Sequence, residues 1–286
     1  MNSKKINLDL HGVPQTLLLP LLGRGLWSQG KNPPLYDAKA IELMNNLNYD
    51  FDKLLHSSGI RPTTIWWMAR AYHFDQAIKK FLQKYPNGTV VNLGAGLDTT
   101  FYRVDNGKLT WIDLDLPEVI NLRTQLLPPP DRVHYIAKSL LDYSWMDDVL
   151  KFNQPVIFIA GGLFMYFEED QVRATLIAMA EHFPQSELIF DSIETRGVSS
   201  ANKMIAKADM NNAILKWGFD QGKDLESWFP KIKLLAQFPY FTHLKSQFNF
   251  SMLIRLRMFI YDFNKKGGII HIKYSVNAPA SALFNQ

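Results

Sequence analysis

The chain contains no cysteine. Disulfides and thiolate metal sites are therefore excluded, and a reducing, cytoplasmic compartment suits this composition. Long apolar runs are also missing. The longest, about 155–167, falls short of the roughly 20 residues that a bilayer span needs. The first ten residues, MNSKKINLDL, lack the apolar core of a signal peptide. Charge is nearly balanced, 31 Lys and Arg against 27 Asp and Glu, with no run of one sign. Such a balance gives no nucleic-acid footprint. The seven histidines are scattered without metal-ligand spacing, so no metal is expected. These absences describe a soluble cytoplasmic protein whose partner is a small molecule, neither nucleic acid nor membrane. They leave its oligomeric state open.

What the chain does have is concentrated in VVNLGAGLDTTFYRVD (90–105) and WIDLDLPEVI (111–120). Val90, Val91 and Leu93 form a short apolar strand of the buried parallel kind. Gly94 and Gly96 permit a tight turn in which the backbone lies against a ligand. Thr99 and Thr100 are placed to cap the next helix. Asp115 follows Gly94 at the spacing where a second strand offers a carboxylate to a ribose, with Asp113 as the fallback. A third glycine, which a pyrophosphate requires, is replaced by Thr99, and an acid, Asp98, stands in the loop. A carboxylate there repels a pyrophosphate and attracts an ammonium, so the pattern favours S-adenosylmethionine over NAD.

Periodicity organises the rest. Residues 1–86 read as helices, from Ala38, Ile41, Met44 and Leu47 and from Ile65, Met68, Ala69, Tyr72, Phe81 and Leu82. Strands are expected at Val90–Leu93, Trp111–Leu114, Val133–Ala137, Pro155–Ala160, Leu188–Ile193, Ile232–Gln237 and Ile269–Tyr274. Ser144 with Asp147 reads as a capping box. The acids Glu168, Glu169 and Asp170 open a helix with Val172, Leu176, Met179, Ala180 and Phe183 on its apolar face. Residues 196–230 form a mostly helical insertion carrying Met204, Met210, Trp217, Phe219, Trp228 and Phe229, in the position of a lid. Phe248, Met252, Leu256, Phe259 and Phe263 mark one face of a late helix, and Lys265–Gly268 a turn. The reading is an α/β chain with a doubly wound, Rossmann-like parallel sheet: a helical cap at 1–86, then a single domain at 87–286.

GVPQTLLLPLLGRG (12–25), YDAKAIELMNNLNYDF (36–51), the glycine loop, IDLDLPEVI and FIAGGLFMYF (158–167) occur in an order that resembles the leucine carboxyl methyltransferase family. Within it the chain is similar to the polyketide carboxyl O-methyltransferases typified by the tetracenomycin enzyme. The resemblance covers the first two thirds of the chain. It implies a class I S-adenosylmethionine-dependent methyltransferase with an N-terminal helical extension and an antiparallel last strand. It also implies that Arg70, in WWMARAYHFD, meets the methionine carboxylate of the cofactor. Cofactor-binding candidates are therefore Arg70, Gly94, Ala95, Gly96, Asp98, Asp115, Leu116, Ser139, Leu140 and Gly161. Arg70 and Tyr166 are positioning candidates, and Tyr166 and Tyr102 are candidates for the pocket wall.

Two positions depart from the family pattern. Ser139-Leu140 stands where an acid precedes Leu, and Gly161 stands where an acid precedes Gly162 near the methionine end. If Asp98 substitutes for the second acid, restoring it by Gly161→Glu should tighten the cofactor. Methyl transfer from a sulfonium is an in-line displacement that needs alignment and dryness. An ionised carboxylate acceptor needs no base, so the lack of a catalytic dyad does not weigh against the activity that the resemblance implies, O-methylation of a small polyketide-like carboxylate. The alternatives are a phenol acceptor, or a cofactor-binding protein that has lost turnover.

Overall fold

A computed structural model describes residues 5–7, 15–56, 60–207, 213–264 and 267–276. Met210, Lys265 and Lys266 lie outside them. Among the described residues, four α-helices precede the sheet: α1 (Leu18–Ser28), α2 (Ala38–Asn46), α3 (Phe51–His56) and α4 (Ile60–Lys84). Asp37 opens α2 by accepting a hydrogen bond from the Ala40 amide. Pro62 falls in the first turn of α4, where its missing N–H removes no intrahelical bond.

The strands are β1 (Thr89–Leu93), β2 (Thr110–Asp115), β3 (Val133–Ala137), β4 (Val156–Ala160), β5 (Glu187–Ser192), β6 (Ile232–Pro239) and β7 (Gly268–Tyr274). Helices α5 (Phe101–Val104), α6 (Pro117–Leu126), α7 (Trp145–Leu150) and α8 (Glu169–His182) follow β1 to β4 in turn. Helices α9 (Val198–Lys207) and α10 (Leu225–Trp228) lie between β5 and β6, and α11 (Leu244–Gln247) and α12 (Met252–Phe263) between β6 and β7. The sheet order is β3-β2-β1-β4-β5-β7-β6. The first five strands are parallel, and β7 runs antiparallel to both β5 and β6. This is the class I methyltransferase fold.

Both faces of the sheet are covered. Every residue of β1 and β4 is buried, as parallel strands between helices require. Alternate residues turn to opposite sides. Val91, Phe158 and Leu188 join Trp145, Leu176 and Met179 on one side, while Val90, Ile157 and Ile189 join Met68, Ile78 and Phe81 of α4 on the other. Each such side chain stabilises by about 1.5–3 kcal/mol on full burial.

Local details depart from the sequence reading. Thr99 and Thr100 do not cap α5: the Thr99 hydroxyl donates to Asp37, and the Asp98 carboxylate accepts from the Thr100 amide. Ser144 makes no cap; Asp142 accepts from its amide instead. At α8 the capping box is Glu168 with Gln171. In 196–230, α9 and α10 flank a stretch, 213–221, that is not helical. Phe248 precedes α12, because Ser251 caps that helix at the Ile254 amide.

Candidate active site

The strand order reverses between β1 and β4, where chain crossovers leave in opposite directions and open a crevice at the strands' C-terminal ends. A cavity of about 850 Å³ lies there. Arg70, Gly94, Ala95, Gly96, Asp98, Asp115, Leu116, Ser139, Leu140, Gly161 and Tyr166 all line it. Residues spread over almost a hundred positions are thus brought to one wall. Tyr102 is not among them. It stands 40% exposed beneath the Lys39 ammonium, because the first turn of α5 points it outward.

The glycine loop is held from beneath. Gly94 has φ +65°, and a Cβ there would stand 2.6 Å from Leu163. The Asp115 carboxylate accepts from the amides of Gly96 (2.7 Å) and Leu116 (2.8 Å). Those bonds use two of its roughly four acceptor positions, leaving room for hydroxyl donors. Burial raises its pKa, partly offset by the two amides. Asp113 is fully buried and does not serve as the alternative. It pairs with Arg123 (2.6 Å), whose remaining nitrogen holds the Gly96 and Asp98 carbonyls.

Asp98 is engaged from several sides. Burial pushes its carboxyl up, but Arg24 and Arg103, with the Thr100 hydroxyl, outweigh this and hold it below the usual carboxylate range. Arg24 also bonds the Leu97 carbonyl and pairs with Asp37 (3.0 Å). Arg103 reaches Asp37 and makes a bidentate pair with Asp75 of α4. The N-terminal helices and the loop thus share one buried ionic network. Arg24, Asp37, Asp75 and Arg103 were not singled out from the sequence. Arg24 and Asp37 do sit inside the two N-terminal segments that carry the resemblance, which was the available signal.

At the end of β4, Arg70 takes the space that an acid would need. A Cβ on Gly161 would lie 3.3 Å from both Arg70 Nε and Phe74, and one on Gly162 only 2.6 Å from Arg70 Nη1. Gly162 has φ +69°, so it meets two demands that other residues do not. Arg70 pairs with Asp191 (2.9 Å) at the end of β5. That carboxylate also accepts from the Gly162 amide (2.6 Å) and the Tyr240 hydroxyl (2.8 Å). Burial would lower the Arg70 pKa, yet Asp191 and Tyr240 beside it leave it raised. Burial, reinforced by the Asp191 charge, lifts the Tyr240 phenol well above its ordinary value, so it stays a donor. Asp191 and Tyr240 were also missed by sequence reasoning.

The opposite wall is apolar. Leu19, Trp66, Trp67, Met165, Met204 and Leu215 contribute to it. The non-helical stretch of the insertion is latched across it. The Met165 carbonyl accepts from the amides of Lys216 and Trp217, and the Asn202 amide group bonds the Leu215 backbone twice. Beyond Lys216, Trp217, Phe219 and Trp228 are ordinary core. Tyr166 lies half-buried with its hydroxyl against Thr16, and desolvation raises its pKa. Among the described residues no helix is long and apolar enough to cross a membrane.

Comparison with known proteins agrees with this architecture. The family model described as leucine carboxyl methyltransferase matches residues 22–180. The tetracenomycin polyketide synthesis O-methyltransferase TcmP of Streptomyces glaucescens is 32% identical over 232 residues, covering 80% of this chain and 84% of that protein. The S-adenosyl-L-methionine-dependent methyltransferase dpfgK of Gibberella zeae is 28% identical over 247 residues, covering 80% and 83%. Among solved structures, a DUF574 family protein from Streptomyces avermitilis superposes with a TM-score of 0.58 at 13% identity, covering 89% of this chain and 96% of that one. A candidate methyltransferase from Thermobifida fusca gives 0.59 at 14% identity, covering 90% and 94%. These two likenesses concern the fold. With the match over more than half of its length, the chain belongs to the leucine carboxyl methyltransferase family, which makes it an S-adenosylmethionine-dependent methyltransferase.

Proposed function

We propose that the protein methylates the carboxylate of a small, largely apolar acid such as a polyketide-like metabolite. The observation that carries this reading is the composition of the cavity wall. No histidine is among the described residues lining it, and its three carboxylates are already engaged: Asp98 by arginines, Asp115 by amides, Asp191 by Arg70. Without a disposable general base, the acceptor must bring an oxygen that is ionised at neutral pH. A carboxylic acid does so, and a phenol does not. The relative named as an O-methyltransferase of polyketide synthesis supports an oxygen acceptor on a polyketide-like molecule.

The roles follow from position. The cofactor supplies a methyl group already activated on a sulfonium. Asp115 would hold the ribose hydroxyls, with Gly94, Ala95 and Gly96 allowing close backbone approach. Leu116, Ser139 and Leu140 would border the adenine. Arg70 would take the methionine carboxylate, with Asp191 fixing its guanidinium. Asp98 and the Gly161 backbone would lie at the ammonium end. Tyr166 and the apolar wall would align the acceptor and keep water out, the helices of 1–86 and the 196–230 insertion forming the cap and lid. A volume near the upper end of the ~300–1,000 Å³ typical of small-molecule sites accommodates cofactor and acceptor together. The test is turnover with matched panels of aromatic carboxylic acids and phenols. Base-labile methyl esters from the acids support the reading. Stable aryl ethers from the phenols, or tight cofactor binding without turnover on any acid, overturn it.

A further inference from the structure

Helix α12 is apolar on both faces, and only one is covered. Met258 is buried, and Ile254 and Tyr261 pack beside it, Tyr261 against Trp66 and Phe241. On the other side Met252, Leu253, Leu256, Phe259, Ile260 and Phe263 face solvent, Met252 88% and Phe263 76% exposed. At 100° per residue these six fall in a stripe about 120° wide. Arg255 lies roughly 40° beyond one edge and Arg257 roughly 40° beyond the other, both exposed. Asp262, on the Arg255 side, is taken up by Lys245 at 2.6 Å, and the Lys245 ammonium stands 6.0 Å from the Phe259 ring. The borders of the stripe are therefore cationic. The surrounding sequence repeats the bias, with eight Lys and Arg and one acid between Lys231 and Lys273.

We propose that this face of α12 docks on an anionic lipid surface. The helix would lie in the interface plane, its six apolar side chains reaching the headgroup–acyl boundary and Arg255 and Arg257 meeting lipid phosphates. An apolar stripe edged by long cationic side chains is the pattern of a surface-lying helix. The absence of a spanning segment does not bear on it, because a helix of 12 residues lying flat crosses nothing. A second copy of the chain fits less well. Any two-fold pairing of this stripe sets one cationic edge against another, since both edges carry an arginine.

Flotation with phosphatidylcholine vesicles, with and without phosphatidylglycerol, tests the proposal on the full chain. The expected result is capture by the anionic vesicles that weakens as salt is raised. Phe259→Ser with Phe263→Ser should reduce capture about tenfold or more. Arg255→Gln with Arg257→Gln should reduce the preference for anionic vesicles by about twenty-five-fold, roughly fivefold per arginine. All four positions are exposed, and circular dichroism should show unchanged folding. Absence of capture, or equal capture by both vesicles, overturns the proposal. So does sedimentation equilibrium showing a dimer that the two Phe→Ser changes dissociate.

Discussion

Asp191→Asn removes one charge and almost no volume at the point where β5, β4 and α4 meet. The carboxylate is 3% exposed and its partner Arg70 11%. Loss of one member of a buried pair costs about 3–5 kcal/mol, because the remaining charge stays desolvated. Asparagine keeps one acceptor oxygen for three donors, those of Arg70, Tyr240 and the Gly162 amide, and points an NH2 at one of them. Arg70 borders the cavity and can turn partly into it, which sets the expected cost near the lower figure, about 3 kcal/mol. At about 2.1 cal/mol/K per residue, 286 residues unfold with about 0.6 kcal/mol/K, so Tm should fall by roughly 5 °C. A guanidinium no longer held should also lose the charge-assisted bond proposed for it with the cofactor carboxylate, weakening S-adenosylmethionine by roughly ten- to a hundred-fold.

Calorimetry and thermal melts of Asp191→Asn, Arg70→Met and the double variant separate pairing from simple packing. If the pair is the functional element, the double variant should be clearly less destabilised than the sum of the singles. Additivity within about 0.5 kcal/mol, or a single variant with unaltered Tm and affinity, would refute the assignment.

Three further outcomes are expected. Asp115→Ala should weaken S-adenosylmethionine by roughly ten- to a hundred-fold in isothermal titration, since among the described lining carboxylates it has the most acceptor positions left open; unchanged affinity sinks its role. Burial lowers the His73 imidazole from 6.5 to about 4, so its contribution is complete above pH 6.5 and lost as pH falls toward 4, about 3 kcal/mol in all; His73→Gln should flatten the melting curve's pH dependence across that window. Gly161→Glu should lose cofactor affinity while remaining folded, because the new side chain meets Arg70 and Phe74. A tighter complex would show that Arg70 moves aside and would restore the expectation drawn from the sequence.

The strands and the glycine loop were legible because their signals are local. A short strand with apolar Val90, Val91 and Leu93, two glycines and an acid about twenty residues on are constraints that a chain carries within one βαβ unit. Arg70 was legible as a cation set in an apolar helix. The ionic network of Arg24, Asp37, Asp75 and Arg103 was not, since charged side chains ordinarily face water, and these are paired only where α1, the start of α2, α4 and α5 come together. The apolar face of α12 shows the reverse. Its spacing is that of a packing stripe, but the core was already closed by Met258 and Tyr261 on the other side.

Asp191 was hidden for a related reason. Nothing in FDSI distinguishes its acid from any other strand-end carboxylate; its meaning comes from β5 lying beside β4, 121 residues after Arg70. Once that neighbourhood is known, Gly161 is no longer a defect in a family pattern. The bare backbone at 161–162 lets the guanidinium lie against it, the Gly162 amide binds the same carboxylate that holds the guanidinium, and Tyr240 completes the set. Glycines, arginine and acid form one unit, each required by the others. A carboxylate restored at 161 would compete with Asp191 for Arg70 in a space that holds one of them. The missing acid is better understood as an acid moved one strand along the sheet, and the Gly161→Glu and Asp191→Asn variants should therefore fail in the same direction, both by displacing Arg70.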